Sequence, residues 1–214
     1  MGKWFKRIIK IIVIVLCLLM VWRVWLLTDD SVFSDLVPTA DTAALYKADG
    51  ELTVLTNDIV HEMSVGGYFS AYGFYYIPET RELQITVRYN NNSVESLGDI
   101  CFYAYTVDTS GEPSVAVTDE DGNSVAGVRL HEGYPIGDII EPEIYGHKEK
   151  LLYGYDKLIF RGVSIDENTN VIISLCTDNN SDNEKAVIAA HFAEQPFDNY
   201  KMSKAEKKAF SEYK

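Results

Sequence analysis

Two cysteines are the residues of this 214-residue chain whose chemistry is easiest to specify. Cys101 lies in the run ICFYAYTV and Cys176 in the run VIISLCT, and both runs have the apolar and β-branched composition of strands. In an oxidising compartment two such thiols can form a disulfide. Two buried free thiols are the alternative, because a reduced cysteine packs as a small apolar side chain. The sequence leaves both alternatives open.

The histidines and acidic residues show no catalytic or metal-binding pattern. The run HEMSV, which begins at His61, lacks the second histidine of a zinc-protease helix. The run DEDGNS has the composition of a calcium loop but lacks the closing glutamate, so a hairpin turn explains it better. The sequence contains no nucleophile elbow, P-loop or dinucleotide fingerprint. We therefore predict that the chain is not an enzyme and uses no metal or cofactor.

Cys176 nevertheless admits one thiol enzyme as an alternative. A β-rich, membrane-tethered chain with a late cysteine resembles, in outline, a sortase transpeptidase. In those enzymes a histidine partners the thiolate and an arginine stabilises the oxyanion. His131 or His147 would be the partner here, but no arginine follows Arg161. The stabilising group is missing, so this is the weakest of the functions considered.

An aromatic cluster between Tyr68 and Tyr76 is the candidate binding surface. It precedes the run ELQITVRYN, whose alternation predicts a strand with one buried face and one face in water. The turn between them predicts a hairpin with Ile77 opposite Glu82. This register places Tyr72, Phe74 and Tyr76 in the core, and Phe69 and Tyr75 on the opposite face.

We predict Phe69 and Tyr75 as a contact patch for a peptide, a glycan or another subunit. Two alternatives remain open. A loop or the C-terminal helix could cover this face, or a β-bulge could exchange the two faces of the strand.

Residues 8–27, IIKIIVIVLCLLMVWRVWLL, are almost entirely apolar. A helix of that length spans about 30 Å, the thickness of a bilayer's hydrocarbon core, so the sequence predicts a single transmembrane helix. A cleaved signal peptide is the alternative, but WLLTDDS offers no small-residue cleavage site. Basic residues before the helix and acidic residues after it predict a cytosolic N-terminus at the plasma membrane and an extracytoplasmic C-terminal domain. The side chains expected at the membrane interfaces are Lys3, Trp4, Lys6, Arg7, Lys10, Trp22, Arg23 and Trp25.

Turn signals divide the rest of the chain into short strands. They predict an all-β domain, mainly an antiparallel sandwich or small barrel of roughly 8–10 strands. Asp49 and Gly50 predict a further hairpin turn. Ser203 and Glu206 have the spacing of a capping box, which predicts a short C-terminal helix. The predicted organisation is a cytosolic tail (1–7), a transmembrane helix (8–27), an acidic tether (28–42), a β-rich domain (43–198) and a C-terminal amphipathic helix (199–214). Strands are expected at 68–77, 82–90, 100–108, 113–118, 124–130, 151–163, 170–177 and 185–193, with an irregular excursion at 131–150.

Charge limits the partners of this chain. Its 19 lysine and arginine residues against 32 aspartate and glutamate residues give a formal net charge of −13, which disfavours nucleic acid. The lipid bilayer is the expected partner of residues 8–27, and a protein partner is expected for the outer domain. We predict a domain that acts by binding, as an accessory or scaffold subunit of a surface or secretion complex. An extracellular ligand- or glycan-binding module is the alternative.

Overall fold

The computed structural model describes residues 3–28, 33, 35–57, 61–63, 69–91, 97–113, 130–149, 153–166, 168–191 and 198–214. The chain forms two compact units, Met1–Val32 and Phe33–Lys214. Helix α1, Lys3–Thr28, belongs to the first unit, and its described side chains are exposed.

Helix α1 contains the whole segment in which the sequence predicts a transmembrane helix. Its continuous run of described side chains, residues 7–22, is about 24 Å long as a helix and includes Arg7 and Lys10. Over the described residues, no helix combines the length and the apolar character that crossing a membrane requires. The predicted helix is therefore confirmed, and its crossing of a membrane is not.

The second unit is built mainly from β-strands. Its described strands are β1 (Leu55–Asn57), β2 (His61–Met63), β3 (Phe69–Ile77), β4 (Glu82–Asn90), β5 (Ile100–Asp108), β6 (Leu130–His131), β7 (Tyr134–Pro135), β8 (Glu143–Glu149), β9 (Tyr153–Arg161), β10 (Thr169–Thr177), β11 (Asn180–His191) and β12 (Asp198–Asn199). Its described helices are α2 (Ala40–Asp49) and α3 (Lys204–Glu212).

Two antiparallel sheets face each other in this unit. The six-stranded sheet has the order β12–β1–β3–β4–β9–β8, and the four-stranded sheet has the order β2–β11–β10–β5. Apolar side chains of both sheets meet in one core. Phe74, Leu83 and Phe160 come from the six-stranded sheet, and Ile173 and Leu175 come from the four-stranded sheet. Burial of this apolar surface holds the two sheets together, and the predicted all-β, mainly antiparallel fold is confirmed.

Helices α2 and α3 cover the other face of the six-stranded sheet. A second apolar cluster forms there, consisting of Leu36, Val54, Tyr75, Ile77 and Phe210. Phe210 comes from α3, and the edge of its ring meets Tyr46 of α2 at a centroid distance of 5.7 Å. The C-terminal helix is confirmed, with its capping box at Ser203 and Glu206.

Three polar side chains of β4, Glu82, Gln84 and Thr86, are buried under Phe33, Val37 and Thr39 and do not face water. Gln84 makes two hydrogen bonds to the backbone of Val37, accepting at 2.9 Å and donating at 2.7 Å. Thr39 Oγ1 donates to Glu82 Oε2 at 2.8 Å. The water-facing side predicted for this strand is therefore wrong, because the chain itself covers these groups and satisfies them. Residues 35–39, expected in the tether, belong to the folded unit.

The hairpin predicted around Asp49 and Gly50 is wrong, because this stretch is helix α2. Thr39 and Thr42 form a capping box at the helix start. Gly50 ends the helix in the left-handed conformation, with φ of 78°, and its N–H donates to the Tyr46 carbonyl. A glycine with positive φ serves a helix C-terminus as well as a hairpin turn, so the local signal was ambiguous.

A β-bulge at Gly73 divides β3 into two registers. The predicted pairs Tyr76–Leu83 and Ile77–Glu82 are confirmed. Before the bulge the register shifts by one residue, so that Ala71 lies opposite Val87. Gly73 has φ of 60°, which is the conformation that a bulge of this kind needs. Tyr72 consequently lies opposite Thr86 and not opposite Val87 as predicted.

Most of the other predicted strands have a counterpart. Strands β3, β4 and β5 follow the predicted 68–77, 82–90 and 100–108, and strands β9, β10 and β11 overlap the predicted 151–163, 170–177 and 185–193. The strands predicted at 113–118 and 124–130 lie almost entirely outside the described residues. The sequence predicts an irregular segment at 131–150. This prediction is wrong in part, because the segment contains strand β8, which pairs with β9.

Candidate functional site

The face of the four-stranded sheet that points away from the shared core carries a row of aromatic and polar side chains. On β5, Phe102 and Ala104 point into the core, so their neighbours Tyr103 and Tyr105 point outward. Ser174 of β10 lies opposite Tyr103 in the strand register. Directly opposed residues of an antiparallel pair share one face, so a hydroxyl and two phenol rings come together here.

The segment that follows β7 pairs with the outer edge of β5 through bridges at Ile136 and Ile140, and Ile136 packs against this face. Ala104 and Ile140 exchange two backbone hydrogen bonds, of 2.9 and 2.7 Å, and the Gly137 N–H donates to the Thr106 carbonyl at 2.7 Å. A Cβ atom on Gly137 would lie only 2.6 Å from Thr106 Oγ1. The close approach of this segment to β5 therefore requires a glycine at position 137.

A cavity of about 230 Å³ lies between this segment and the sheet. We call it the outer-face cavity. Its lining residues are Tyr103, Tyr105, His131, Ile136, Ile139, Ser174, Ser181, Asp182 and Glu184. Two carboxylates line it, and none of its lining residues is a lysine or an arginine.

Hydrogen bonds hold the polar groups of the cavity in position. The Tyr105 hydroxyl donates to Glu184 Oε2 at 3.2 Å and lies 3.4 Å from His131 Nδ1. The Tyr105 and His131 rings also meet edge to face, with centroids 6.0 Å apart. Tyr103 lines the opposite part of the cavity, and burial raises the pKa of its hydroxyl, with a hydrogen bond to Cys101 adding to the shift. The Tyr103 phenol therefore remains a neutral hydrogen-bonding group at physiological pH.

The cavity has the chemistry of a binding site. Aromatic faces and carboxylates together favour a small ligand that is neutral or positively charged and rich in hydrogen-bond donors. Among the hydroxyl-bearing residues that line the cavity, Ser174 is the most deeply buried. Its Oγ lies 3.5 Å from Cys176 Sγ. A search of the described residues finds no group of three metal-ligating side chains.

Cys101 lies at a second, neighbouring cavity, and Cys176 is buried on the adjacent strand. Cys176 of β10 is directly opposite Cys101 of β5, and no disulfide joins the two in this structure. Cys101 lines a cavity of about 350 Å³ at the open side of the sandwich, where β5 approaches the segment around Glu141 and Pro142. Cys176 is buried and contacts Ser174 Oγ and, at 3.8 Å, the Ser181 carbonyl oxygen.

The histidines proposed as thiolate partners have other contacts. His147 Nδ1 lies 2.6 Å from Asp156 Oδ1. His131 Nδ1 contacts the Tyr105 hydroxyl, as described above. These contacts give each imidazole a structural partner, and they add no support for a sortase-like arrangement.

Tyr75 of the predicted contact patch is buried and not exposed. Tyr75 is only 7% exposed, because the ring of Tyr200 lies on it at a centroid distance of 4.7 Å and Phe210 of α3 belongs to the same cluster. The alternative in which the C-terminal helix covers this face is the one observed. The side chain of Phe69 lies outside the described residues, and its backbone is opposite Tyr89.

Four of the side chains expected at membrane interfaces are described, and all four are exposed. They are Trp4, Arg7, Lys10 and Trp22. The side chains of Lys3, Lys6, Arg23 and Trp25 lie outside the described residues.

The sequence gives no sign of one more polar site, a buried amine beneath α3. Lys157 of β9 is 2% exposed, and its Nζ has no hydrogen-bond partner among the residues that the structure describes. Nζ lies 5.2 Å from the centroid of the Tyr75 ring, a favourable cation–π position. Burial lowers the pKa of Lys157 to about 7, against the opposing pull of Asp35 and Glu206.

Glu206 organises the polar groups around this amine. It accepts hydrogen bonds from the Leu36 N–H at 2.8 Å and from the Tyr200 hydroxyl at 2.9 Å. Burial raises the pKa of Tyr200, and hydrogen bonds to Tyr75 and Glu206 raise it further. Burial likewise raises the pKa of Asp35, with repulsion from Glu206 as the second cause.

The sequence contains a weak signal for the outer-face cavity but none for the buried amine. Tyr103 and Tyr105 are two residues apart in a predicted strand, so they must share a face. Which face they share depends on Phe102 and Ala104, whose burial only the assembled sheets reveal. Lys157 lies in an otherwise apolar run, where a lysine is usually expected to reach solvent.

Comparison with known proteins adds no relative. No family model matches the chain, and no curated protein and no solved structure matches it either.

Proposed function

We propose that this chain is a membrane-anchored, extracytoplasmic domain that acts by binding, and that the outer-face cavity is its ligand site. The observation that carries the proposal is the described lining of that cavity, which combines two phenol rings, two serine hydroxyls, two carboxylates and the His131 imidazole, with no lysine or arginine among these residues. The cavity is smaller than the 300–1,000 Å³ typical of sites for drug-sized ligands. A ligand of monosaccharide or amino-acid size fits this scale.

The lining also indicates the ligand's charge. Glu184 and Asp182 repel an anion, and they accept hydrogen bonds from hydroxyl or amino groups. Sugars offer several hydroxyl donors and an apolar ring face, and small amines offer a positive charge for the phenol rings. Both classes remain candidates for the site.

Anchoring is proposed from helix α1 and its sequence. The segment 8–27 is apolar over its whole length apart from Lys10 and Arg23. The described side chains of α1 are exposed on every side of the helix, and such a surface is stable only when lipid or protein covers it. With three basic residues before this segment, Lys3, Lys6 and Arg7, the N-terminus is proposed to be cytosolic and the β-domain extracytoplasmic.

A ligand screen with one isosteric variant tests the cavity. The full chain in a non-ionic detergent would be titrated with glucose, galactose, N-acetylglucosamine, glycine betaine and 2-phenylethylamine, with heat of binding as the signal. Glu184→Gln removes a carboxylate that Tyr105 bonds and keeps the size of the side chain. For a compound of the panel that binds the natural chain, we expect Glu184→Gln to raise the dissociation constant about tenfold or more. A hydrogen bond to a charged group is worth about 1.5–3 kcal/mol. The exposed Glu51→Gln is the matched control, and equal binding by both variants would place the ligand elsewhere.

An accessory or scaffold subunit is the second candidate, and strand β8 favours it. This strand is the last of the six-stranded sheet, so one of its backbone edges is unpaired within the described sheet. Ile144 and Tyr145 on it are 60% and 49% exposed. An exposed edge strand with apolar side chains is a typical place for a partner to add a strand.

Site-specific crosslinking tests this second candidate. A photocrosslinking residue at position 145 should capture one defined protein in cells, and the capture should be lost when Ile144 is changed to Lys. The same crosslinker at the exposed Lys185 on β11 is the control. Equal capture from positions 145 and 185, or capture that survives Ile144→Lys, would argue against β8 as the contact.

A further inference from the structure

The two cysteines of the β-domain lie at one point of a continuous strand pair. Strands β5 and β10 pair through nine successive residues, from Thr169–Asp108 to Thr177–Ile100, without a bulge. Cys176 and Cys101 are directly opposite each other within this run. Their relative position therefore follows from the backbone of the sheet.

The geometry of an antiparallel pair suits a bond between these thiols. Directly opposed Cα atoms are about 4.5–5.5 Å apart, and disulfides occur at Cα separations of about 4.4–6.8 Å. Opposed residues also project from the same face of the sheet. The register therefore places the two Cα atoms in the range of separations at which disulfides form.

We propose that Cys101 and Cys176 form a reversible disulfide between β5 and β10. Cys101 is the thiol that an oxidant reaches, because it is only half-buried and lines the 350 Å³ cavity. Cys176 is buried, so it acts as the resolving thiol. This site does not depend on the ligand proposed for the outer-face cavity.

The oxidant is a small-molecule disulfide, for which oxidised glutathione is the probe. The Cys101 thiol loses its proton, and the thiolate attacks one glutathione sulfur, which breaks the glutathione disulfide and releases one reduced glutathione. The Cys176 thiolate then attacks the Cys101 sulfur of the mixed disulfide and releases the second. The protein loses two protons and two electrons, and the glutathione disulfide gains both.

The bond would join the edge strand β5 to its only strand neighbour in the described sheet. It would also close a loop of about 75 residues, which restricts the unfolded chain more than the folded one. We expect the oxidised form to unfold at a temperature about 5–10 °C higher than the reduced form.

The test uses the full chain carrying Cys17→Ser, so that Cys101 and Cys176 are its only thiols. The protein in detergent is equilibrated in buffers of varied reduced and oxidised glutathione, quenched with acid and alkylated. Peptide mass spectrometry then measures the linked pair. We expect a Cys101–Cys176 crosslink whose ratio of oxidised to reduced protein rises fourfold when the reduced glutathione concentration is halved at constant oxidised glutathione.

The dependence on the concentration of reduced glutathione distinguishes the Cys101–Cys176 disulfide from separate mixed disulfides at each cysteine. A thiol that only forms a mixed disulfide changes twofold under the same dilution, because a single glutathione is released. The variants Cys101→Ala and Cys176→Ala, each with Cys17→Ser, should show that twofold dependence or remain reduced. Two thiols that stay alkylatable at equilibrium in the most oxidising buffer, or that carry glutathione without a crosslink, would overturn the proposal.

Discussion

Replacing Lys157 with methionine should stabilise the β-domain, and the gain should depend on pH. Methionine fills a similar volume without the amine, for which the described part of the chain supplies no hydrogen-bond partner. The pKa of Lys157 falls from 10.5 to about 7 on folding, because burial disfavours the charged form. The unfolded chain therefore binds the proton more tightly than the folded chain does.

The size of the effect follows from this difference. One pKa unit corresponds to about 1.4 kcal/mol, so carrying the buried charge costs about 4 kcal/mol at pH 7 and about 1 kcal/mol at pH 10. Below pH 7 both states are protonated and the cost is constant. Between pH 7 and pH 10.5 the unfolded state binds more protons than the folded state, so this group makes the natural chain more stable as the pH rises. The Lys157→Met variant lacks the group, so its stability lacks this increase.

Urea unfolding of the full chain in non-ionic detergent measures this difference. All three tryptophans lie within residues 4–25, so tyrosine near-ultraviolet circular dichroism is the signal that reports the second unit. We expect the stability advantage of Lys157→Met to shrink by about 1 kcal/mol per pH unit, from about 4 kcal/mol at pH 7 to about 1 kcal/mol at pH 10. The groups that face this amine, Asp35, Glu206, Tyr75 and Tyr200, are the same in both proteins. The exposed Lys185→Met is the control, and a pH-independent advantage for Lys157→Met would refute the buried-charge explanation.

Two other substitutions test the packing that surrounds the proposed sites. Gly137→Ala should cost about 1–3 kcal/mol, because its Cβ would lie 2.6 Å from Thr106 Oγ1, whereas Gly111→Ala meets no atom within 4 Å and should be nearly neutral. Equal stability of these two variants by urea unfolding would mean that the segment over the outer-face cavity is not held closely against β5. Tyr75→Ser should cost about 3–5 kcal/mol as a large core truncation, whereas Tyr145→Ser on exposed β8 should change stability by less than about 0.5 kcal/mol. If Tyr75→Ser were as stable as the natural chain, Tyr75 would not be a core residue and would again be a candidate for a surface contact.

The alternating pattern of the sequence predicts the strands well where tertiary structure does not modify it. Strand β4 begins and ends at the predicted residues, because Leu83, Ile85 and Val87 alternate with polar side chains. The same pattern misleads about its polar face, because alternation cannot show that Val37 and Thr39 will supply partners for Gln84 and Glu82.

The bulge at Gly73 limits how far the contact patch could be predicted. A single positive-φ glycine shifts the register of half of β3, and nothing local distinguishes it from a glycine that continues the strand. The burial of Tyr75 depends on Phe210, which is 135 residues away along the chain. Such long-range contacts leave no periodic signal near the residue that they cover.

The sequence likewise does not decide whether Cys101 and Cys176 are neighbours in the fold. Cys101 and Cys176 lie in predicted strands, but composition does not reveal that β5 and β10 are neighbours or that their register aligns the two residues. The outer-face cavity depends on the same pairing, since Ser174 reaches Tyr103 only in this register.

Methyl spectroscopy of isoleucine tests the central proposal, ligand binding in the outer-face cavity, most directly. Ile136 and Ile139 line the cavity, whereas Ile85 and Ile173 lie in the core between the sheets. In the full chain labelled at isoleucine δ1 methyl groups, titration with the sugars and amines of the panel should shift the Ile136 and Ile139 signals and leave Ile85 and Ile173 in place. Shifts confined to other isoleucines, or none at either cavity residue with any member of the panel, would contradict it.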